Sequence, residues 1–160
     1  SITITVLPLL TRFLKTFKPK GFRAPNIVIK KEYLGILKGW GFEYDSSTYG
    51  QFSLKENIGG LTELPVSTFL GLPFGSGYFI SLLGKKIGWF YQKINRQGNP
   101  VIAFIHNWQI IKPRRATFPN KNYLLTHLYY LPYTFEIDEI FEYLLKNFSF
   151  APMKNLLKVT

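Results

Sequence analysis

Amphipathic helical segments alternate with short apolar runs along this chain, and the alternation limits the folds that it can adopt. Apolar residues recur at helical spacing in the segments 9–17, 33–40, 83–94 and 137–148, and glycine or proline ends the first three. A helix that connects two strands returns the chain to the same end of the sheet, so the strands run in parallel. The sequence therefore predicts an α/β architecture.

The predicted strands are few and short, and polar loops separate them. Strands are predicted at 22–24, 42–45, 64–69 and 101–105, with a last extended segment at 148–150, and loops at 46–60 and 71–77. These strands are too few to close a barrel. The chain also opens in a helix that, in this architecture, needs a preceding strand. We therefore expect the sequence to be the later part of a larger domain.

The composition indicates a folded chain and excludes several kinds of site. Of the 160 residues, 46% are hydrophobic and 18% are aromatic, which is too apolar for a disordered chain. Cysteine is absent, which excludes disulfides, thiolate metal sites and cysteine nucleophiles. The interrupted apolar stretch 2–10 predicts neither a membrane span nor a signal peptide. The sequence does not determine the cellular compartment, although the cytoplasm is slightly favoured.

Three side chains that can do chemistry stand where predicted strands end. Arg23, Asp45 and His106 each follow an apolar run and precede loop residues. Because the ends of parallel strands gather at one edge of a sheet, the three can converge on one cleft. An aspartate bonded to an imidazole stabilises its charged form and makes the histidine a general acid near neutral pH. Each residue also has an ordinary explanation, as a surface arginine, a turn-starting aspartate or a core histidine.

The sequence has no recognisable motif for a metal or a nucleotide. Its two histidines, His106 and His127, are far apart, and no His-x-x-x-His or His-Glu-x-x-His spacing occurs. The glycine-bearing segment 71–77 lacks the Lys-Ser/Thr pair of a phosphate-binding loop. We therefore expect that this chain alone binds no metal and no nucleotide, and that His127 has a structural role.

Six short motifs resemble, in the same order, the later half of polysaccharide deacetylases: Gly-Phe-Arg-Ala-Pro-Asn at 21–26, Gly-Phe-Glu-Tyr-Asp-Ser-Ser at 41–47, Glu-Leu-Pro-Val-Ser-Thr at 63–68, Gly-Ser-Gly-Tyr-Phe at 75–79, Phe-Ile-His-Asn-Trp at 104–108 and Phe-Ser-Phe-Ala-Pro-Met at 148–153. The resemblance is to the branch linked to bacterial exopolysaccharide biosynthesis, which carries a C-terminal extension. It implies that residues 1–160 are the C-terminal portion of a deacetylase domain, with 1–111 in the barrel part and 112–160 in the extension.

The resemblance implies a distorted (β/α) barrel of parallel strands, the NodB homology domain, incomplete here at its N-terminus. Such enzymes hydrolyse the N-acetyl groups of amino-sugar polysaccharides with a divalent metal, commonly zinc, held by one aspartate and two histidines. The motifs that carry the catalytic base and the metal ligands would precede Ser1. The expected partners are therefore an N-acetylated polysaccharide and a missing N-terminal half, and the chain is expected to be inactive alone.

The same resemblance implies a role for five residues. Arg23 resembles the arginine that positions the base aspartate, and the backbone N–H of Asn26 resembles the donor near the acetyl oxygen. Asp45 resembles the aspartate that tunes the catalytic histidine. His106 resembles that histidine, the general acid that protonates the leaving amine. Trp108 is either a wall for a sugar ring or a packing aromatic.

Departures from the family pattern leave two other functions open. Relatives often read His-Pro-Trp-Glu where this chain reads His-Asn-Trp-Gln at 106–109, and Ser76 replaces a glycine. One alternative is a non-catalytic carbohydrate-binding module that uses Trp108 and Tyr78. The other is a nucleic-acid-binding domain, which the net charge of +11 suggests. We expect no nucleic-acid partner, because the lysines and arginines are spread along the chain and no basic helix accompanies them.

Overall fold

A computed structural model describes residues 11–57, 59–111, 126–128, 132, 135 and 137–158. The chain divides into two units. Unit 1 consists of Ser1–Thr48, Ser53–Pro65 and Pro152–Thr160, and unit 2 consists of Tyr49–Phe52 and Val66–Ala151. Among the described residues, no helix combines the length and the apolar character needed to cross a bilayer.

The regular elements of the described residues are short. The strands are β1 (Gly21–Phe22), β2 (Tyr44–Asp45), β3 (Tyr49–Gly50), β4 (Lys55–Glu56), β5 (Thr62–Glu63) and β6 (Val66–Ser67). The helices are α1 (11–17), α2 (Lys31–Gly39), α3 (Gly77–Leu83), α4 (Ile87–Arg96), α5 (Asn107–Ile110) and α6 (Asp138–Asn147). Single 3-10 turns lie at Pro25–Ile27 and Gly84–Lys86, and a longer 3-10 segment covers Met153–Lys158.

Unit 1 is built around a four-stranded sheet with the order β1-β2-β5-β4. The pairs β1–β2 and β2–β5 are parallel, and β4–β5 is antiparallel. The connection from β1 to β2 runs through α2, which buries Leu34 and Leu37 against Phe42 and Leu61. Burial of this apolar face stabilises the helix, because nine residues are too few to be stable in isolation.

The N-terminal helical pattern is confirmed for 11–17, while its residues 9 and 10 lie outside the described residues. This segment ends before Lys18, whose φ is +44°. Leu14 packs against the core of unit 1, whereas Phe13 and Phe17 are exposed and contact each other. The helix therefore attaches to unit 1 through only part of its apolar side.

Unit 2 contains a parallel pair, β3 with β6, and an extended segment at 101–106 beside it. The predicted strand at 101–105 is wrong, because this segment does not form a regular ladder. The N–H of Ser67 donates to the carbonyl of Ile102 (2.9 Å), but the N–H of Ile102 donates to the Ser67 hydroxyl (2.8 Å). The N–H of Phe104 donates to the carbonyl of Gly75 (2.9 Å). A side chain thus takes the place of one rung of the ladder.

The helical pattern at 83–94 corresponds to two helices. The first, α3, begins after Ser76, whose hydroxyl accepts a hydrogen bond from the N–H of Phe79 (3.5 Å). Gly84 interrupts the pattern with a φ of +57°, which a glycine adopts without strain. The chain then continues through a 3-10 turn into α4. The loop predicted at 71–77 therefore ends one residue early, because Gly77 is the first residue of α3.

The core of unit 2 is formed by α3, α4 and α6 together with Phe74. Its buried residues are Phe74, Ile80, Ile87, Tyr91, Ile137, Ile140 and Leu144. The last helical pattern is confirmed as α6, which has Asp138 and Glu139 in its first turn; Glu136 lies outside the described residues. The extended segment predicted at 148–150 is not a strand.

The α/β class is confirmed by the parallel strands and the helices between them. The described strands form one four-stranded and one two-stranded sheet and do not close a barrel. The predicted loop at 46–60 contains β3 and β4, so it is more regular than its polar composition indicates. The barrel, and its division from an extension at 111, stay predictions.

Candidate functional site

The ends of two neighbouring parallel strands carry Arg23 and Asp45. Phe22 of β1 pairs with Asp45 of β2, so Arg23 follows β1 beside the last residue of β2. Both are predicted site residues, and both lie in unit 1. His106 and Trp108 lie in unit 2, so the convergence of His106 with Asp45 stays a prediction.

The guanidinium of Arg23 is held by the residue that follows Asp45. Its Nε donates to the carbonyl of Ser46 (3.1 Å) and its Nη2 donates to the Ser46 hydroxyl (2.7 Å). The same Nη2 lies 3.7 Å from the sulfur of Met153. Ser46 in turn donates its hydroxyl to the carbonyl of Leu64 (2.6 Å). One buried serine therefore links the ends of β1 and β2 to the chain after β5.

The carboxylate of Asp45 is completely buried and is bonded to Ser47. Its Oδ1 accepts from the Ser47 hydroxyl (2.8 Å) and its Oδ2 accepts from the Ser47 N–H (3.1 Å). The Ser47 oxygen also accepts from the N–H of Ala24 (2.8 Å). These bonds fix the carboxylate relative to the end of β1. Glu63 on the neighbouring strand β5 also interacts with this carboxyl.

Glu63 is a second carboxyl beside Asp45, and the sequence predicted no role for it. The two residues are register partners in β2 and β5. Glu63 accepts hydrogen bonds from the Thr48 hydroxyl (2.8 Å) and the Asn57 amide (3.5 Å). Burial raises the pKa of Glu63, and the Asp45 carboxyl acts in the same direction, against these hydrogen bonds. Only Leu61 and Thr62 separate Glu63 from two glycines, so no apolar run marked this carboxyl in the sequence.

The loop after β1 has an unusual backbone that sets the position of Asn26. Asn26 and Ile27 both have positive φ values, 57° and 56°. A buried isoleucine in this conformation is strained, because its branched Cβ crowds the backbone. The N–H of Ile27 donates to the carbonyl of Ala24 (3.1 Å). The described residues show no hydrogen bond from the N–H of Asn26 to another backbone group.

In unit 2, His106 immediately precedes the short helix α5 and stacks on Trp108. The two rings are nearly parallel, at 8°, and their centroids are 3.9 Å apart. The ring of Phe104 contacts His106 edge-on at 5.6 Å. Burial lowers the pKa of His106 below its ordinary value of 6.5. In unit 2 the apolar surroundings therefore favour the neutral ring.

Trp108 is half exposed, with 49% of its surface accessible, although His106 covers one face of its ring. A sugar ring that stacked on Trp108 would use the opposite face. This geometry permits the predicted wall for a sugar without requiring it. The stack also makes Trp108 part of the surroundings of His106, which the sequence did not indicate.

Gln109, which the sequence marks only as a departure from relatives, is buried. Its Oε1 accepts from the N–H of His106 (3.0 Å). Its Nε2 donates to the carbonyl of Gly77 (3.1 Å) and to the Ser81 hydroxyl (2.9 Å). The spacing of residues in the sequence did not indicate that Gln109 makes these hydrogen bonds. The amide nevertheless can donate two hydrogen bonds here, which a carboxylate cannot do.

The described residues do not supply a metal site. No group of three or more His, Cys, Asp or Glu side chains lies together within the described part of the chain. The ring of His127 has its Nδ1 2.8 Å from the hydroxyl of Thr126. The divalent metal that the resemblance implies stays a prediction.

Comparison with known protein families gives one match. A family model described as Domain of unknown function (DUF3473) matches residues 37–158. The chain belongs to this family. Its domain is associated with polysaccharide deacetylase-like proteins. Asp45, His106 and Trp108 lie inside the matched range, and Arg23 and Asn26 precede it. Searches of curated proteins and of solved structures found no match.

Proposed function

We propose that this chain supplies the proton-donating side of the active site of a polysaccharide deacetylase. The reaction is hydrolysis of the N-acetyl groups of an amino-sugar polysaccharide, a non-peptide carbon–nitrogen bond. The observation that carries the proposal is the family match over residues 37–158, in a family associated with deacetylase-like proteins. In this proposal the chain is part of a (β/α) barrel, and the base and the divalent metal, zinc by resemblance, are held by residues outside this sequence.

His106 is the proposed general acid. When water adds to the acetyl carbonyl, the amide nitrogen must gain a proton before the carbon–nitrogen bond can break. The protonated His106 ring gives this proton to the nitrogen, so acetate and a free amine leave. Its position just before α5, stacked on a half-exposed Trp108, supports a role at the surface of a cleft.

Asp45 and Arg23 have supporting roles in this proposal. Burial lowers the pKa of His106, so a general acid at this position needs a nearby negative charge to keep its proton near neutral pH. The buried Asp45 carboxylate is the proposed source of that charge. Arg23, fixed by two bonds to Ser46, is proposed to orient the base, and the N–H of Asn26 to stabilise the oxyanion.

The test uses the full-length protein that carries this sequence. Acetate release from N-acetylated glucosamine oligomers is measured with and without a chelator, for the unaltered protein and for His106→Ala. We expect His106→Ala to lower turnover by about 10²–10⁴-fold with unchanged metal content. His127→Ala is the matched control and should keep its turnover.

The other outcomes point to the alternatives. Equal turnover of His106→Ala and the unaltered protein would refute the role of His106. Oligosaccharide binding without acetate release would favour a non-catalytic carbohydrate-binding module. Affinity for DNA or RNA that falls steeply with salt would favour a nucleic-acid-binding domain.

A further inference from the structure

The segment that carries His106 is held by very little regular structure. The helix α5 has four residues, Asn107–Ile110, and a helix of this length is not stable by itself. The chain before it, 101–106, is extended without a regular ladder. A general acid needs a fixed position to within a fraction of an ångström. Some tertiary contact must therefore fix the beginning of α5.

Gln109 makes that contact from the third residue of α5. Its side chain is 1% exposed and uses both ends of its amide. Oε1 accepts from the N–H of His106, while Nε2 donates to the carbonyl of Gly77 and to the hydroxyl of Ser81, both in α3. The amide therefore ties the backbone of His106 to the first turns of a longer, core-packed helix.

The partners determine which way the amide points. The N–H of His106 can only donate, and the carbonyl of Gly77 can only accept. Rotating the amide by 180° would place Nε2 against a donor and Oε1 against an acceptor. A carboxylate would likewise place an oxygen against the Gly77 carbonyl. The site thus discriminates a glutamine from a glutamate of nearly the same shape.

Gly77 leaves room for this amide because it has no side chain. A Cβ atom on Gly77 would lie 2.4 Å from Oε1 of Gln109, well inside van der Waals contact. The backbone of α3 and the amide are therefore in direct contact. This close fit is a second observation, independent of the hydrogen bonds, that the Gln109 amide has one position.

We propose that Gln109 is the positioning residue for His106, tying the backbone of the proposed acid to α3. This inference rests on the proposed function only in taking His106 as the acid. The tie fixes the start of α5, and so the stack of His106 on Trp108. It acts through His106 and makes no claim that Gln109 touches a substrate.

The first experiment needs no activity and uses the full-length protein that carries this sequence. Backbone amide exchange of His106 and the titration of its ring are measured by NMR for the unaltered chain and for Gln109→Met, which keeps the length but has no amide. We expect exchange at His106 to become about tenfold faster or more. We also expect the pKa of the ring to rise toward 6.5 as the ring becomes solvated.

Two further variants keep the result interpretable. Ser81→Ala removes one of the three bonds and should give a smaller acceleration, which covers the case in which Gln109→Met does not fold. Tyr91→Phe removes a different buried bond of unit 2, from Tyr91 to the carbonyl of Phe74 (3.2 Å). It should lower stability but leave His106 exchange and titration unchanged. Unaltered exchange and titration in folded Gln109→Met would overturn the proposal.

A second experiment measures acetate release by the full-length protein. Gln109→Met should lower kcat by about tenfold or more with little change in KM, and should have no effect when His106 is already alanine. If His106→Ala retains full turnover, the proposed function fails, while the exchange result still reports on the tie. If His106→Ala is inactive and Gln109→Met has normal exchange and kcat, only the positioning role fails.

Discussion

Removal of the Ser46 hydroxyl is the sharpest test of how unit 1 holds its arginine. Ser46 is 1% exposed and its oxygen stands between two partners, accepting from Arg23 (2.7 Å) and donating to the carbonyl of Leu64 (2.6 Å). Ser46→Ala removes both bonds and adds no bulk. Arg23 keeps its bond to the Ser46 carbonyl (3.1 Å), which the substitution does not touch.

The magnitude follows from the two lost bonds. No other residue of the described ranges donates to the carbonyl of Leu64, so the variant leaves a buried acceptor unpaired, at a cost of about 1–3 kcal/mol. The lost bond to Arg23 adds little, because water can replace the serine around a half-buried guanidinium. We expect a total of about 2 kcal/mol, which lowers the melting temperature of a chain of this size by roughly 4–8 °C.

The assay is thermal and urea unfolding of this chain, followed by circular dichroism. Ser53→Ala is the matched control: Ser53 lies in the same unit and makes no side-chain hydrogen bond to the described residues. It should change stability by less than about 0.5 kcal/mol. If Ser46→Ala and Ser53→Ala unfold at the same temperature and urea concentration, the claim that Ser46 bonds stabilise unit 1 is refuted.

Four other substitutions, which make three predictions, test separate parts of the structure. Gly75→Ala places a Cβ 2.4 Å from the carbonyl oxygen of Ile102, so it should destabilise the folded protein by about 3 kcal/mol. Gly35→Ala has no atom within 4 Å of its new Cβ and should stabilise α2 by about 0.5–1 kcal/mol. The urea midpoints of the two variants test both expectations. Because burial lowers the pKa of His106, the contribution of its neutral ring to stability is present above pH 6.5 and is lost as the pH falls through the lower pKa of the folded state. Trp108→Ala should raise the NMR titration midpoint of His106 toward 6.5. An unchanged midpoint would contradict this expectation. Because folding raises the pKa of Glu63, the contribution of its protonated form to stability is present below pH 4.5 and is lost as the pH rises. Glu63→Gln should therefore raise the urea midpoint at pH 7 but not at pH 4. A lower urea midpoint at pH 7 would contradict this expectation.

The helices α1, α2, α4 and α6 were predictable because their signals are local, whereas α5 and most of α3 were not predicted. Tyr33, Leu34, Leu37 and Trp40 share one helical spacing, and a glycine follows them, so α2 appears where the pattern places it. The prediction of a strand at 101–105 was wrong because a strand depends on contacts that are not local. Apolar composition favours an extended chain, but a regular ladder of backbone hydrogen bonds depends on partners in other segments. Here the N–H of Ile102 donates to the Ser67 hydroxyl and not to a backbone carbonyl.

The candidate site was predictable where chemistry and position coincide. Arg23 and Asp45 follow apolar runs, and the structure places them at adjacent strand ends. Glu63 stands at a third strand end, but in the sequence it comes just before the strand predicted at 64–69 and therefore gave no signal of a strand end. The role of Gln109 depends on α3, about 30 residues earlier in the chain, and no local pattern reports that contact.

The same kind of arrangement occurs within each of the two units. In each case a neighbouring polar residue fixes the residue with proposed chemistry: Ser46 fixes Arg23, Ser47 fixes Asp45, and Gln109 fixes the backbone of His106. Ser46 and Ser47 lie within the motif 41–47 that resembles polysaccharide deacetylases, whereas Gln109 directly follows the motif 104–108, at a position where relatives often have a glutamate. A chain that kept Arg23, Asp45 and His106 but lost these neighbours would retain the reactive groups without their geometry. The proposed roles are therefore best tested at Ser46, Ser47 and Gln109, where substitution alters position and leaves the proposed chemistry intact.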